Sequence, residues 1–237
     1  MNKNIWTDVN ADLPCPNCMI GFLMHSNQIL STETLQSLID NEYHKRGLVN
    51  PDTVYLVSNH LKCNKCKDVV VMTYKLTDDV RHIDEDGSEI SIIEPLSYHP
   101  APHIIAIPTS CPKIVRELII QSFTLFWIDL NSCGNKIRVA VEALMDDFKV
   151  IDKTNTGKTI MLHHRIEIFK KTNLKVGNYL LSIKWIGNSG SHIIGLSKEA
   201  ILDAYQLLEY SLELLYNDRE REMEKLSEKI NKAKGHH

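Results

Sequence analysis

The rhythm of hydrophobic and polar positions changes midway along the chain. Between about residues 13 and 100 the apolar positions come in short runs. Ile20–Leu23, Val54–Leu61, Val69–Tyr74 and Glu89–Ile93 read as strands, several rich in β-branched residues, with Asp86-Gly87 as a hairpin turn. A single helical interlude, Thr34–Lys45, places Leu35, Leu38, Ile39 and Tyr43 on one side, with Ser31 or Thr32 as its cap. Beyond Pro112 the spacing is helical throughout. Helices are predicted from Pro112 to about Asp129, Asn135 to Phe148, Thr159 to Lys171, and from Val176 onward. A last helix is capped by Ser197 and carries the stripe Ile201, Tyr205, Leu208, Leu212 and Leu215. That helix is expected to run on through Met223, Leu226 and Ile230 at near-heptad spacing. Between the two regimes stand Pro95, Pro100, Pro102, Pro108 and Pro112, a density that opposes helix and central strand alike. The expected fold class is therefore α+β. A β-rich module spans 1–97, a Pro-rich linker 98–111 and an all-α bundle 112–217. Residues 218–235 extend the last helix, and His236 and His237 read as the remnant of an affinity tag.

Two tight knuckles, Cys15-Pro16-Asn17-Cys18 and Cys63-Asn64-Lys65-Cys66, interrupt the β-rich part. Each puts two thiols on one turn, and two such turns supply the four soft ligands of a tetrahedral divalent ion. Strand–knuckle–strand, twice over, is the pattern of a zinc ribbon. The expected cofactor is Zn2+, held by Cys15, Cys18, Cys63 and Cys66. Four thiolates leave no open position for water, which makes the ion structural. A redox dithiol is the alternative, but that motif occurs once in a chain and sits at a strand-to-helix turn. Cys111 and Cys133 are isolated and read as reduced residues of the core or of a helix cap.

Composition narrows the partners. The formal net charge of the 237 residues is -3, so the molecule as a whole is no polyanion binder and any nucleic-acid contact rests on a local basic patch. The most apolar run, Leu118–Leu130, is broken by Gln121, Ser122 and Asp129, so no membrane segment is expected. The first residues lack the apolar core of a secretory signal, and a cytoplasmic protein is expected.

In the helical region Lys184, Asn188 and His192 follow one another at intervals of four. If the helix persists through Gly187 and Asn188, an ammonium, an amide and an imidazole share one face, a set suited to a phosphodiester. The structural alternative makes Gly187-Asn188 a left-handed helix end and His192 a loop residue. Arg138 and Glu142 form an i,i+4 pair that is either an exposed surface bridge or, beside the Gly-Asn helix, a device that fixes two helices together. Arg165 lies in the most basic predicted helix, which is a phosphate-facing surface or a solvated face.

The order of these elements resembles a known family. Tyr98-His99-Pro100, Ile107-Pro108, Pro112-Lys113-Ile114-Val115-Arg116-Glu117, Arg138-Val139-Ala140-Val141-Glu142-Ala143-Leu144, Lys184-Trp185-Ile186-Gly187-Asn188…His192 and Lys198-Glu199-Ala200 follow in sequence. This resembles the bacterial family called domain of unknown function 4145, over roughly Tyr98 to Tyr216. The resemblance implies a HEPN-like bundle of four or five helices, commonly a homodimer, serving defence against phage or foreign nucleic acid. In that superfamily, catalytic members are metal-independent endoribonucleases with an Arg-polar-x-x-x-His motif. Asn188 and His192 match its polar and histidine positions. The arginine position is Gly187, and the nearest cation is Lys184, one turn earlier, where the resembled family usually has arginine. Expected partners are a second copy of the chain, RNA or a nucleotide, and a defence-system protein encoded nearby. Expected roles are binding of RNA or nucleotide, or assembly of a defence complex. The alternatives are RNA cleavage by His192 with Lys184 and Asn188, and a purely structural interaction subunit.

Overall fold

The structure, a computed structural model, describes residues 3–6, 12–47, 53–83, 89–189, 195–216 and 218–234. It falls into two compact units, one ending at His103 and the other beginning at Ile104. The class is α+β: a four-stranded antiparallel sheet, then helices.

The first unit is a meander of β1 (Leu23–Glu33), β2 (Thr53–Cys63), β3 (Val69–Ile83) and β4 (Glu89–His99), adjacent in that order. Strand alternation makes one face of its centre apolar. Val57, Asn59 and Leu61 of β2 lie opposite Tyr74, Met72 and Val70 of β3, and all six are buried. The buried Asn59 shares a 2.8 Å hydrogen bond with His25 Nδ1, beside an irregularity in β1 between His25 and Ile29. Helix α1 (Leu35–Lys45) is capped by Thr34, whose hydroxyl accepts from the Ser37 amide, later in the chain than the Ser31 or Thr32 expected. Its apolar side, Leu35 and Leu38 foremost, is exposed.

The expected strand Ile20–Leu23 is displaced: β1 begins only at Leu23 and runs on to Glu33, while Ile20 and Gly21 belong to the bend after the first knuckle. Strand β3 runs nine residues beyond Tyr74 to Ile83. The predicted turn at Asp86-Gly87 lies outside the described residues. Pro95, Tyr98 and His99, read from sequence as the entry to a linker, belong to β4. Pro95 is tolerated there because β4 is an edge strand and its register shifts just beside Pro95.

The second unit contains α2 (Lys113–Ile128), α3 (Leu130–Asp147), α4 (Leu162–Lys170), α5 (Leu174–Ser189), α6 (Lys198–Leu215) and α7 (Asp218–Lys232). Helix α3 is the hub, packed against α2, α4, α5 and α6, while α5 also packs on α4 and α6. Asp129 caps α3 by accepting from the Asn131 and Ser132 amides, so the helix starts five residues before the expected Asn135. The core holds Phe123, Phe126, Ile137, Leu144, Leu180 and Tyr205. Inside it, the Tyr205 hydroxyl bonds Ser122 Oγ at 2.7 Å and Cys133 Sγ at 3.2 Å, tying α6 to α2 and α3. Ser197 caps α6 through the Ala200 amide. The expected continuous last helix is two helices: α6 stops at Leu215, Tyr216 leaves the helical region (φ -128, ψ 45), and α7 starts afresh at Asp218. Among the described residues, no helix is long and apolar enough to cross a membrane.

Candidate functional site

The four knuckle cysteines converge. The Sγ atoms of Cys15, Cys18, Cys63 and Cys66 all lie within 4.8 Å of one another, and none is in a disulfide. Cys15 Sγ and Cys66 Sγ are 3.6 Å apart, Cys18 Sγ and Cys63 Sγ 3.7 Å. Four thiolates about 2.3 Å from a shared ion in a tetrahedron stand about 3.8 Å from each other. The cluster therefore has the spacing of a closed metal centre.

Local sequence makes this shape. The residue after each knuckle, Met19 (φ 61) and Lys67 (φ 67), adopts the left-handed conformation, so both turns curl the same way. Each such non-glycine residue costs about 1 kcal/mol, which the surrounding contacts must offset. The first knuckle is closed by the Cys15 amide donating to Gly21 O (2.8 Å) and the second by the Cys63 amide donating to Asp68 O (2.8 Å). Asn64 stitches the two together: its amide donates to Phe22 O, and its Oδ1 accepts from the Phe22 amide, each at 3.0 Å. Gly21 lies against the thiols so closely that a Cβ there would stand 2.5 Å from Cys63 Sγ and 2.9 Å from Asn64 Oδ1. Only glycine fits.

The thiols are electrostatically unequal. Burial pushes Cys15 up to about 12, against the opposing amides of Cys18 and Asn17. The Ile20 amide, helped by that of Gly21, draws Cys18 down to about 6. Burial also pushes Cys63 upward, but the amides of Lys65 and Cys66 and the neighbouring thiols together outweigh it and hold Cys63 below its usual value. Amides pointing at sulfur stabilise thiolate, the form that ligates metal. These residues fit a metal ion, and four thiolates would leave it no open coordination position.

In the helical unit, α5 stays helical through Gly187 and Asn188 to Ser189, so neither residue is the left-handed helix end considered above. Gly187 is buried where α5 crosses α3. A Cβ on Gly187 would meet Gly134 O at 2.8 Å and Arg138 Cβ at 3.0 Å. The facing glycine, Gly134, is less constrained by backbone: a Cβ there would stand 3.6 Å from Gly187 Cα, and its short contact is a side-chain end, Leu196 Cδ1 at 2.6 Å. The position that corresponds to an arginine in the sequence motif is thus a backbone-to-backbone contact.

Lys184 and Asn188 lie one turn apart on α5; Lys184 is 8% exposed and Asn188 half-buried, and His192 lies outside the described residues. The Lys184 ammonium sits 3.5 Å from the centroid of the Trp185 ring, a cation–π contact worth about 1–2 kcal/mol when shielded from water. Trp185 itself is 54% exposed, and the His163 ring of α4 is tilted against it at 5.9 Å. Arg138 bonds Glu142 at 2.7 Å with both side chains half-buried, on the stretch of α3 that faces Gly187. Arg165 is committed elsewhere: its buried guanidinium donates to Asp146 Oδ1 (2.7 Å) and Val150 O (2.8 Å), pinning α4 to the end of α3.

Sequence reasoning missed the group formed by Lys184, Trp185 and His163. The adjacency of lysine and tryptophan was visible. The approach of His163, on a different helix, was not.

Residues 121–233 match the model of a family described as Domain of unknown function (DUF4145). The match runs from the second half of α2 through α7 and lies wholly within the helical unit. None of the curated proteins and none of the solved structures matches the chain.

Proposed function

We propose that this chain is a zinc-containing, HEPN-like module of a bacterial system of defence against phage or foreign nucleic acid, and that its helical unit holds single-stranded RNA or a nucleotide without cutting it. The observation that carries the reading is the half-exposed Trp185 ring, with the Lys184 ammonium beneath it and His163 at its edge. An aromatic face backed by a cation is the element on which unpaired bases stack, at about 1–3 kcal/mol per base. The crossing at Gly187 favours holding over cutting, because no arginine can stand at that position to support a phosphate in the transition state. In this reading zinc is the ion clamped by Cys15, Cys18, Cys63 and Cys66 and keeps the sheet unit folded.

The test is fluorescence anisotropy with a labelled single-stranded oligoribonucleotide over a salt series. The full chain is compared with Trp185→Ala and Lys184→Met. Binding that weakens with salt, and falls about tenfold or more in Trp185→Ala, is expected. Affinity indifferent to both substitutions refutes the site. An absence of binding leaves assembly with a neighbouring defence protein as the better account. RNA cleavage in the presence of chelator that disappears in His192→Ala would refute the non-cutting reading.

A further inference from the structure

Helix α5 carries exposed chemistry well beyond Trp185. Lys175, Asn178, Ser182 and Trp185 follow one another at steps of three, four and three, and all four are exposed. At about 100° per residue they fall within an arc of about 80°, a single outward stripe of the helix. Their side chains offer an ammonium, an amide, a hydroxyl and an indole, with no aliphatic group among them. That set suits a charged strand with stackable rings better than the apolar centre of a protein interface. At the far end from Trp185, Lys175 Nζ donates to the Tyr210 hydroxyl of α6 at 2.9 Å. The half-buried Tyr179 of α5 is tilted against Tyr210, with ring centroids 5.8 Å apart, and Tyr210 is 41% exposed. An aromatic pair with a cation attached therefore stands on the same helix as the Trp185 ring, built from other residues.

We infer that α5 is a track for single-stranded RNA with two stacking stations, Trp185 at one end and the Tyr179–Tyr210 pair at the other, and that its ligand is a strand of about four or more nucleotides, not a mononucleotide. The inference rests on the reading of Trp185 given above and decides between the two ligands that reading allows. Length makes the decision. Ten positions separate Lys175 from Trp185, about 15 Å along the helix axis. One nucleotide cannot reach both ends. A stacked strand advances about 3.4 Å per nucleotide and crosses that distance with about four or five. Charge orients the tyrosine end. Glu213, one turn after Tyr210 on α6, is exposed, and its carboxylate opposes phosphate there. The Tyr210 ring is thus suited to a base and Lys175 to the phosphate beside it. Asn178 and Ser182, between the stations, supply hydrogen-bonding groups along the strand.

The test is competition of unlabelled oligouridylates of one, two, four, six and eight nucleotides against a labelled octamer on the full chain. The parent is compared with Trp185→Ala, Tyr210→Leu and Lys175→Met. All three substitutions are at exposed positions, and circular dichroism verifies that the helices are intact. For the parent, the tetramer should bind about tenfold or more tighter than the dinucleotide, because only the longer strand engages both stations. Tyr210→Leu and Lys175→Met should remove that gain and leave the mononucleotide and dinucleotide little changed. Trp185→Ala should weaken every length. If Trp185→Ala weakens binding but affinity is level from one nucleotide to eight, the track is overturned and the Trp185 reading stands, with a nucleotide as its ligand. If Tyr210→Leu and Lys175→Met leave the octamer unaffected, the track is again overturned, and the tyrosine pair is left for a protein partner. An octamer that does not bind, or binds equally well to Trp185→Ala, removes the Trp185 reading and the track with it.

Discussion

Replacing Gly187 by alanine tests the close crossing of α5 on α3. The new Cβ would stand 2.8 Å from Gly134 O, 3.0 Å from Arg138 Cβ and 3.5 Å from Gly134 C. Two of these three atoms belong to the backbone of α3, which cannot rotate aside. Helix α5 must therefore move away from α3, and overpacking of this kind costs about 1–3 kcal/mol. Alanine is the better helix former by about 1 kcal/mol, which offsets part of that cost. Because backbone blocks the new Cβ, the cost falls in the upper part of that range, about 2–3 kcal/mol. The net expectation is a loss of about 1–2 kcal/mol, seen as a melting temperature lower by about 4–8 °C for a unit of this size. Gly134→Ala is the control. Its nearest contacts are side-chain ends, Leu196 Cδ1 at 2.6 Å and Ile201 Cδ1 at 3.3 Å, and Leu196 can change rotamer. Its net effect should be near zero. Urea unfolding followed by far-ultraviolet circular dichroism measures both, since most of the helix lies in this unit. A Gly187→Ala protein as stable as its parent, or stabilised by the propensity gain, would refute the close crossing and reopen this position to an arginine. By the same reasoning Gly187→Arg should not fold.

Gly21→Ala should lower the metal content of the purified protein well below one ion per chain by elemental analysis, since its Cβ would stand 2.5 Å from Cys63 Sγ. Full occupancy in that variant would contradict the cradle. A strong chelator should unfold the sheet unit, read by proteolysis within residues 12–99, and leave the helical circular dichroism in place. Arg165→Met should cost about 2–3 kcal/mol, because it leaves Val150 O without its donor, whereas Arg138→Met removes a half-exposed bridge and should cost about 0.5 kcal/mol or less. Equal effects of the two would show that burial does not separate them. Burial lifts Cys111 to about 11 and Cys133 to about 12 from an ordinary 9.0. The folded unit keeps both thiols protonated where the unfolded chain ionises them. This contribution to stability is whole below pH 9 and is lost as the pH rises from there toward 11 and 12. Urea midpoints across that range measure it, and alkylation of either residue in the native protein at neutral pH would contradict the burial.

Elements whose physics is local were legible in the chain. The knuckles were, because two thiols on one turn need only their spacing. The stripes of α3, α4 and α6 were, because a 3.6-residue period is written in side chains, and Ser197 announced α6 by its hydroxyl. Strand β1 beyond Leu23 was not. Most of its residues face water, so nothing in their pattern is apolar on one side, and what makes them a strand is backbone pairing with β2. The residues Tyr98 and His99 were lost to the linker for the same reason: pairing with Met72 and Val71 decides their state. The break at Tyr216 carries no glycine or proline, and the stripe of α7 continues the spacing of α6 closely enough to hide it.

The sequence by itself determined the four-thiol set, the helical face shared by Lys184 and Asn188, and the apolar seam of α7. The tertiary structure decided that Gly187 is a helix crossing, that Lys184 is covered and spends its charge on Trp185, that His163 stands at the same ring, and that Arg165 belongs to Asp146 and Val150. The reason is physical. Spacing along a helix or a turn fixes which side chains point the same way, but distances between separate elements follow from how closely their backbones pack, and that depends on every residue at the contact at once.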